Sequence, residues 1–437
     1  MVADLILPAR PAALPGHAPL RVALSGGLDS TVLLHRLAND PAQRRQGLSA
    51  VHVDHGLHPH AGAWAAHCQT LCDRLGIVLR HLRVEVPRDS GLGLEGAARK
   101  ARHAAFEHTL VEGEVMVLAH HRDDQAETFL LRALRASGPE GLAGMPAWRR
   151  CGRGWLWRPL LQHPRDVLRA YAEAHRLEWI EDPSNEDPCM DRNFLRHRVL
   201  PLLAERWPHA GAALATSATL AGDAAHLLRH GDIEALEQVQ RSDPSRLDVA
   251  ALLALPAARR ARVLRHWVHA LGLPALPAQG IRRVERDLLD ARADAVASFR
   301  WAGARIRRWR DCLHAGRETP PLPATLDLPW DGTHPLALPG GGVLRLEGAP
   351  RLPEALRVRA RQGGERIRLP GRSHEHALKH VLQGLEVPPW VRERLPLLLD
   401  AGGRVIAAAD FAYDAGFDAW LRERGARLHW QDGEAGG

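Results

Sequence analysis

The sequence predicts an α/β fold: a parallel sheet with helices on both faces, then a helical domain, then a small α+β domain. Three observations lead there. Between residues 20 and 136, short apolar runs alternate with amphipathic stretches at the spacing of strand–helix units. From about 210 to 315 the chain is rich in Ala, Leu and Arg at helical spacing, as in "ALLALPAARRARVLRHWVHALG", which reads as all-helical. After about 330, strand-like runs sit between glycine turns ("LPGGGVLRLEG", "GGRVIAAADF"), with one helix around "HEHALKHVLQGL". The expected domains are 1–209, 210–325 and 326–437, with "GRETPPLPATLDLPWDG" as a linker before the last.

In order, "RVAL" is a buried strand and "DSTVLLHRLAND" a helix. "LSAVHVDH" is a strand and "AWAAHCQTLCDRLG" a helix closed by Gly76. "IVLRHLRVEV" and "LEGAARKARHAAFEHTLVEG" form the third pair. "EVMVLAHH" and "DDQAETFLLRALRASG" form the fourth. Residues 160–207 read as helices around the loop in "WIEDPSNEDPCMDRNFLRHRVLPLL".

Composition narrows the classes. The 437 residues are 45% hydrophobic and 25% charged, as in a soluble chain of two or three domains. No window approaches 18 apolar residues, so no membrane partner is expected. "MVADLILPARPAALPG" lacks the pattern of a signal peptide, and the expected location is the cytoplasm. The five cysteines contain no CxxC pair, against a disulfide framework or zinc ribbon. Cys68 and Cys72, four apart, would share a packed helix face. The net charge of +7 favours a polyanionic partner, most often nucleic acid. Lysine stands only at positions 100 and 379, so the cations are almost all arginine, the side chain suited to bidentate phosphate contacts.

"SGGLDS", residues 25–30, lies between the first strand and helix. Two glycines let backbone N–H groups approach an anion, and the helix N-terminus adds partial positive charge. The lysine of a Walker loop is missing, and the chain has no Gly-Lys dipeptide. Ser25 and Ser30 can hold phosphate oxygens, and Asp29 can take a Mg²⁺ in place of lysine. A tight, capped strand-to-helix turn is the alternative. Other strand ends favour a ligand site. Strand 2 ends at Asp54-His55-Gly56 and strand 4 at His120-His121, both on the edge where open parallel sheets bind ligands. Asp124 and Glu127 share a helix face at i,i+3, for Mg²⁺ or a substrate amine. Asp123 and Asp124 equally suit a helix N-terminus. Glu95, Arg99 and Arg102 share another face, either a surface ion-pair stripe or arginines turned to phosphate.

"SGGLDS" is the signature of the PP-loop ATP pyrophosphatases, whose Rossmann-like domain splits ATP between its α and β phosphates. Within that superfamily the chain resembles the tRNA(Ile)-lysidine synthetases. The resemblance is carried by "HVDHGLHPHAGAWA", "EGAARKARHAAF", "LAHHRDDQAETFLLRALRASGPEGLAGM", "RPLL" and "WIEDPSNEDPCMDRNFLRHRVLPLL". "RVRARQGGERIRLPGRSHEHALKHVLQGLEVPPWVRERLPLLLD" resembles that family's C-terminal domain. It spans most of 20–207 and 355–410. His103 replaces a common tyrosine, and Arg122 is a variation within "HRDDQ".

The resemblance implies a ligase. ATP adenylates C2 of the wobble cytidine (position 34) of the CAU-anticodon isoleucine tRNA. L-lysine then displaces AMP to give lysidine. Codon reading moves from AUG to AUA, and charging from Met to Ile. It implies an ATP site at Ser25, Gly26, Gly27, Leu28, Asp29 and Ser30, with Asp54, His55 and His121. Mg²⁺ is expected at Asp29, the α-phosphate at Arg99 or Arg102, and lysine at Asp124 and Glu127. The anticodon loop or the reacting cytidine is assigned to Asp191, Arg192, Asn193, Arg196 and Arg198, with helix capping as the alternative. The tRNA backbone, at the acceptor stem, is assigned to Arg357, Arg359, Arg361, Arg366, Arg368 and Arg372. A solvated edge strand is the alternative there. The family allows a homodimer as well as a monomer. A PP-loop thiolase would need a reactive cysteine pair or an iron–sulfur cluster. An amidotransferase-type synthetase would need a cysteine near the chain start, and residues 1–20 contain none. A non-catalytic RNA-binding relative is the third alternative, against which the intact "SGGLDS" and "DDQAET" speak.

Overall fold

In the computed structural model, residues 5–9, 17–87, 93–291 and 297–433 are described, apart from the side chains of 94, 95, 185 and 186. The expectation for Glu95 therefore lies outside the described residues, as does most of the N-terminal stretch read for a signal peptide. The chain divides into two compact units, Met1–Arg229 and His230–Gly437. No described helix is long and apolar enough to cross a membrane.

The first unit follows the expected alternation. β1 (Leu20–Ala23), α1 (Leu28–Ala38) and the short α2 (Pro41–Arg45) come first. β2 (Leu48–Asp54), α3 (Ala61–Leu75), β3 (Val78–Arg83) and α4 (Gly93–Thr109) follow. Then come β4 (Val115–Val117), α5 (Arg122–Leu134) and α6 (Pro139–Leu142). Two strands went unread in the sequence, β5 (Trp148–Cys151) and β6 (Gly154–Trp157). The sheet order is β3-β2-β1-β4-β6-β5, parallel except for β5 at the edge. β1 is central, and its Leu20 and Val22 are wholly buried.

One apolar cluster packs α1, α3 and α7 (Arg165–Ala174) on one side of the sheet, and includes Leu33, Leu37, Cys68, Cys72 and Leu168. Both cysteines are completely buried there, in the packed role expected of them. A second cluster forms around Phe106 and Leu110 at the end of α4, with Met116 of β4 and Leu156 of β6. β4 and β6 approach very closely: a Cβ on Gly154 would stand 2.4 Å from the Glu114 carbonyl oxygen. The helical run after α7 contains α8 (Asp191–Phe194), a π turn (Leu195–Val199) and α9 (Leu200–Arg206). α10 (Ala210–Val239) crosses from one unit into the other.

The second unit begins with the expected helices, α11 (Val249–Ala254), α12 (Ala257–Ala270) and α13 (Ala278–Arg283). The all-helical expectation needs correcting. An antiparallel sheet packs with these helices, built from β7 (Arg246–Asp248), β8 (Ser298–Trp301), β9 (Ala304–Trp309) and β10 (Cys312–Arg317) in the order β7-β10-β9-β8. Ala304 and Ile306 face the helices, while Arg305 and Arg307 alternate to the other side. Arginine-rich composition concealed that period of two.

The C-terminal part is α+β, as expected. β11 (Asp327–Trp330), β12 (Leu336–Ala337), β13 (Val343–Glu347) and β14 (Leu356–Ala360) come first. β15 (Arg366–Ile367), β16 (His376–Ala377), α14 (Leu378–Gly384) and α15 (Pro389–Arg392) follow, then β17 (Pro396–Leu399), β18 (Val405–Ala408), β19 (Ala412–Tyr413), α16 (Ala415–Arg424) and β20 (Arg427–Gln431). The stretch read as a linker contributes β11, which pairs with β14.

Gly154→Ala forces β6 away from Glu114. It is expected to cost about 1–3 kcal/mol, seen as a lower urea midpoint with an unchanged slope.

Candidate active site

The loop Ser25–Ser30 leaves the carboxyl end of β1 and enters α1. Gly26 has φ +86°, a conformation that favours glycine. A Cβ there would lie 2.9 Å from Ile180 Cδ1 and 3.1 Å from Cys68 Sγ. The Ile180 N–H donates to the Gly26 carbonyl at 2.9 Å, so the segment after α7 braces the loop. Ser30 Oγ donates to the Gly27 carbonyl at 3.0 Å and accepts from the Ser25 N–H at 3.2 Å. The two serine hydroxyls are 3.0 Å apart. No side chain of the N-cap residue, Gly27, closes the start of α1. Its first N–H groups, with the helix dipole, suit an anion.

β4 ends beside β1 and leads into α5, whose N-cap is His121. The His121 N–H donates to Asp124 Oδ2 at 2.9 Å, so Asp124 holds the helix start. Asp123 Oδ2 accepts the Arg165 N–H at 2.9 Å and ties α5 to the start of α7. Gln125 exchanges two hydrogen bonds with the Met145 backbone, and Gly144 leaves room for it. The buried His121 ring sits among three carboxylates. Nε2 lies 3.7 Å from Asp29 Oδ2 and 3.5 Å from Asp124 Oδ2, and Nδ1 lies 3.6 Å from Asp123 Oδ2. Arg165 Nε lies 3.8 Å from Asp29 Oδ1. These separations are too long for hydrogen bonds. Asp29 Oδ1, His121 Nδ1 and Arg165 Nε therefore have no hydrogen-bond partner among the described residues, although each atom is shielded from solvent.

Asp124 and Glu127 are both buried, Glu127 completely. Arg196, in the π turn, reaches Glu127 across 69 residues of sequence and Asp124 across 72. Its Nε and Nη2 donate to Glu127 Oε1 and Oε2 at 2.7 and 3.2 Å, and Nη2 also donates to Asp124 Oδ1 at 3.1 Å. Burial pushes the Glu127 carboxyl above its ordinary range, and Arg196 only partly offsets this. Burial acts on Asp124 too, but His121, His120, the His121 N–H and Arg196 together hold it below the ordinary value. Asp29 is raised by burial, against the pull of His121 and Arg165.

Comparison with known proteins places this geometry. A PP-loop domain model matches residues 8–203. A TilS substrate binding domain model matches 247–314, and a TilS substrate C-terminal domain model matches 356–430. The tRNA(Ile)-lysidine synthase of Xanthomonas axonopodis pv. citri is 55% identical over 98% of this chain and 96% of its own length. The chain belongs to the tRNA(Ile)-lysidine synthase family. The synthase of Xylella fastidiosa (strain 9a5c) is 51% identical over 94% of this chain and 95% of its own, and that of Coxiella burnetii is 38% identical over 94% and 92%.

The other residues singled out in this lysidine synthase family member fall into separate groups. Asp54 Oδ1 accepts the Gly56 N–H at 2.7 Å and shapes the turn after β2. Burial and nearby Arg102 depress His55. Arg99 and Arg102 on α4 also act on His103 and His120. Arg192 donates to Thr128 Oγ1 at 3.0 Å. Asn193 is buried and donates to the Ser184 and Asp187 carbonyls at 2.9 Å each, shaping the preceding loop. Asp191 pairs with Arg135 at 3.4 Å, and Arg198 is exposed.

In the second unit, Arg357 and Arg359 lie on the exposed face of β14, both paired with Asp327. Their hydrogen bonds bring Asp327 down to about 2. β14 is an interior strand, between β11 and β17. Arg361 lies 3.6 Å from Glu365, Arg366 3.5 Å from Glu375, and Arg368 3.8 Å from Asp414. Arg372 is exposed. Sequence reasoning missed Arg165, Ile180 and the Arg196 ion pair. Only the proline-flanked segments around them hinted at turns.

Arg196→Met leaves Glu127 buried without a counter-charge. The expected loss is about 3 kcal/mol at pH 7. Glu127 then has a folded pKa raised further above its ordinary 4.5. Its protonated form is tolerated below that value, and the loss grows as pH rises through the folded pKa. Urea unfolding at pH 4 and pH 7 should show the larger difference at pH 7.

Proposed function

We propose that the chain ligates L-lysine to C2 of the wobble cytidine of the CAU-anticodon isoleucine tRNA, using ATP. The observation that carries this reading is the meeting of an anion loop at the end of β1 with two buried carboxylates at the end of β4. ATP is bound with its phosphates against the N–H groups of Ser25–Ser30 and α1. Asp29 fits a Mg²⁺ that arrives with ATP: its Oδ1 is shielded and lacks a hydrogen-bond partner among the described residues. No cluster of three or more metal-ligating side chains surrounds it among the described residues, so phosphate oxygens and water would complete the shell. The ion would neutralise charge on the departing pyrophosphate. Arg99 and Arg102 face the α-phosphate.

The base is adenylated at its C2 oxygen, and pyrophosphate leaves. The ε-amine of lysine then attacks C2 and AMP leaves. Asp124 and Glu127 receive the lysine ammonium. Arg196 is the cation that balances them in the free chain. The raised Glu127 is the better proton acceptor of the two, and takes the proton that the amine must lose before attack. The arginines at 192, 196 and 198 present the anticodon nucleotide, and those at 357–372 contact the acceptor stem. Cys68 and Cys72 are unsuited to sulfur transfer, because burial pushes their thiols up to about 12 and about 11.

Incubation with ATP, Mg²⁺, labelled L-lysine and the CAU-anticodon isoleucine tRNA should move label into the tRNA with release of AMP. A folded sample that incorporates none refutes the reading. Asp29→Ala is expected to lower adenylation at least ~100-fold, as when a group stabilising developing charge is lost. Glu127→Ala should raise the KM for lysine and lower kcat by at least ~100-fold, as when a general base is lost, while leaving the KM for ATP within about two-fold. Charge reversal at Arg357 or Arg359 should weaken tRNA binding and flatten its salt dependence.

A further inference from the structure

The carboxyl edge of the sheet has a second, basic lobe. β6 ends at Trp157, and Arg158 follows, 4% exposed. Its Nε donates to His120 Nδ1 at 3.2 Å and its Nη1 to the Pro146 carbonyl at 2.8 Å. Arg149, on the edge strand β5, donates from Nη2 to His103 Nδ1 at 3.3 Å and from Nη1 to the Arg150 carbonyl at 3.0 Å. Neither guanidinium has a carboxylate partner among the described residues. A buried cation lacking a counter-ion is costly unless something supplies one. The strain shows in both side chains beside it. Burial, then Arg149 and Arg99, bring Arg158 down to about 10. Burial, then Arg102, Arg99, Arg149 and Arg158, bring His103 down to about 4. At neutral pH Arg158 keeps its charge, and His103 is neutral.

The lobe lies beside Arg99 and Arg102 of α4 and apart from the loop that takes the pyrophosphate portion of ATP. In the order β1-β4-β6-β5, β6 and β5 are two and three strands from β1, roughly 10 and 14 Å at the usual strand spacing. The loop at β1 has its own N–H groups and hydroxyls. The chemistry of the lobe is that of a phosphate site, planar forks matched to oxygen pairs. An RNA nucleotide brought to the sheet edge carries a phosphate on either side of its sugar.

We infer that Arg149 and Arg158 form a subsite for a backbone phosphate of the RNA, flanking the nucleotide offered to the ATP loop. This rests on the reading that the chain acts on tRNA. The subsite positions the nucleotide and takes no part in proton or phosphoryl transfer.

The test compares the full-length protein with Arg149→Gln and Arg158→Gln. Arg149 is half-buried on an edge strand, so its variant keeps the test valid even if the Arg158 variant does not fold. Affinity for the tRNA is measured from 50 to 300 mM salt, and affinity for ATP and AMP at one salt concentration. The expected result is tRNA binding several-fold weaker, a salt slope smaller by about one per variant, and unchanged ATP and AMP affinity. An unchanged salt slope overturns the proposal. So does a loss of ATP or AMP affinity with RNA binding intact, which would assign the lobe to the α-phosphate. Binding needs no turnover, so a failure here is distinct from a failure of lysine incorporation by the wild-type protein.

Discussion

Everything at the first unit's site depends on keeping two carboxylates buried at one helix start. Asp124 and Glu127 are one turn apart on α5, yet their surroundings push them in opposite directions. Asp124 has the His121 N–H, two imidazoles and Arg196 around it, and these outweigh its desolvation. Glu127 relies mainly on the Arg196 fork, and burial prevails. One group stays ionised while its neighbour holds a proton more readily, a division that suits one for fixing an ammonium and the other for deprotonating it. The cation that makes this possible comes from a distant helical turn. The carboxylates can persist only when that segment is docked.

The sheet topology sorts charge by sign. β1 and β4 are neighbours, and their ends bring Asp29, His121, Asp124 and Asp123 together. β6 and β5 lie on the other side of β4 and bring up Arg158 and Arg149. The two histidines that end β4 stand at the divide: His121 turns to the acids, and His120 to Arg158. A substrate that combines phosphates with ammonium groups meets a complement to each within one edge of one sheet.

Much of this was legible beforehand, because parallel strands and their helices write themselves as apolar runs and glycine stops. The anion loop and the i,i+3 carboxylates are local features, visible in six or seven consecutive residues. β5 and β6 were not, being four-residue strands around a Gly152-Arg153 turn with no room for a period to show. β8 to β10 were hidden differently. "ARIRRWRDCLHAGR" alternates in two faces, but long arginines on the outer face resemble those of a helix. Arg196 was read only as a nucleic-acid contact, since nothing local reveals that it also has partners on α5. Asn193, also assigned to RNA, binds the backbone of its own loop in the folded chain. A residue's type suggests what it can hold, and only the tertiary contact decides what it does hold.

The π turn at Leu195–Val199 has a consequence of its own. Such a turn takes one residue more than an α turn, so the helix beyond it is rotated by roughly 100° relative to an unbroken one. Asp191–Phe194 can therefore answer to the loop before it, while Leu200–Arg206 keeps an independent facing. The extra residue acts as a phase adjuster between two surfaces with different demands. An insertion of this kind lets a lineage re-aim Arg196 at the carboxylates without redesigning the helices on either side. It also makes the aim of that guanidinium sensitive to the length of the turn as well as to its composition.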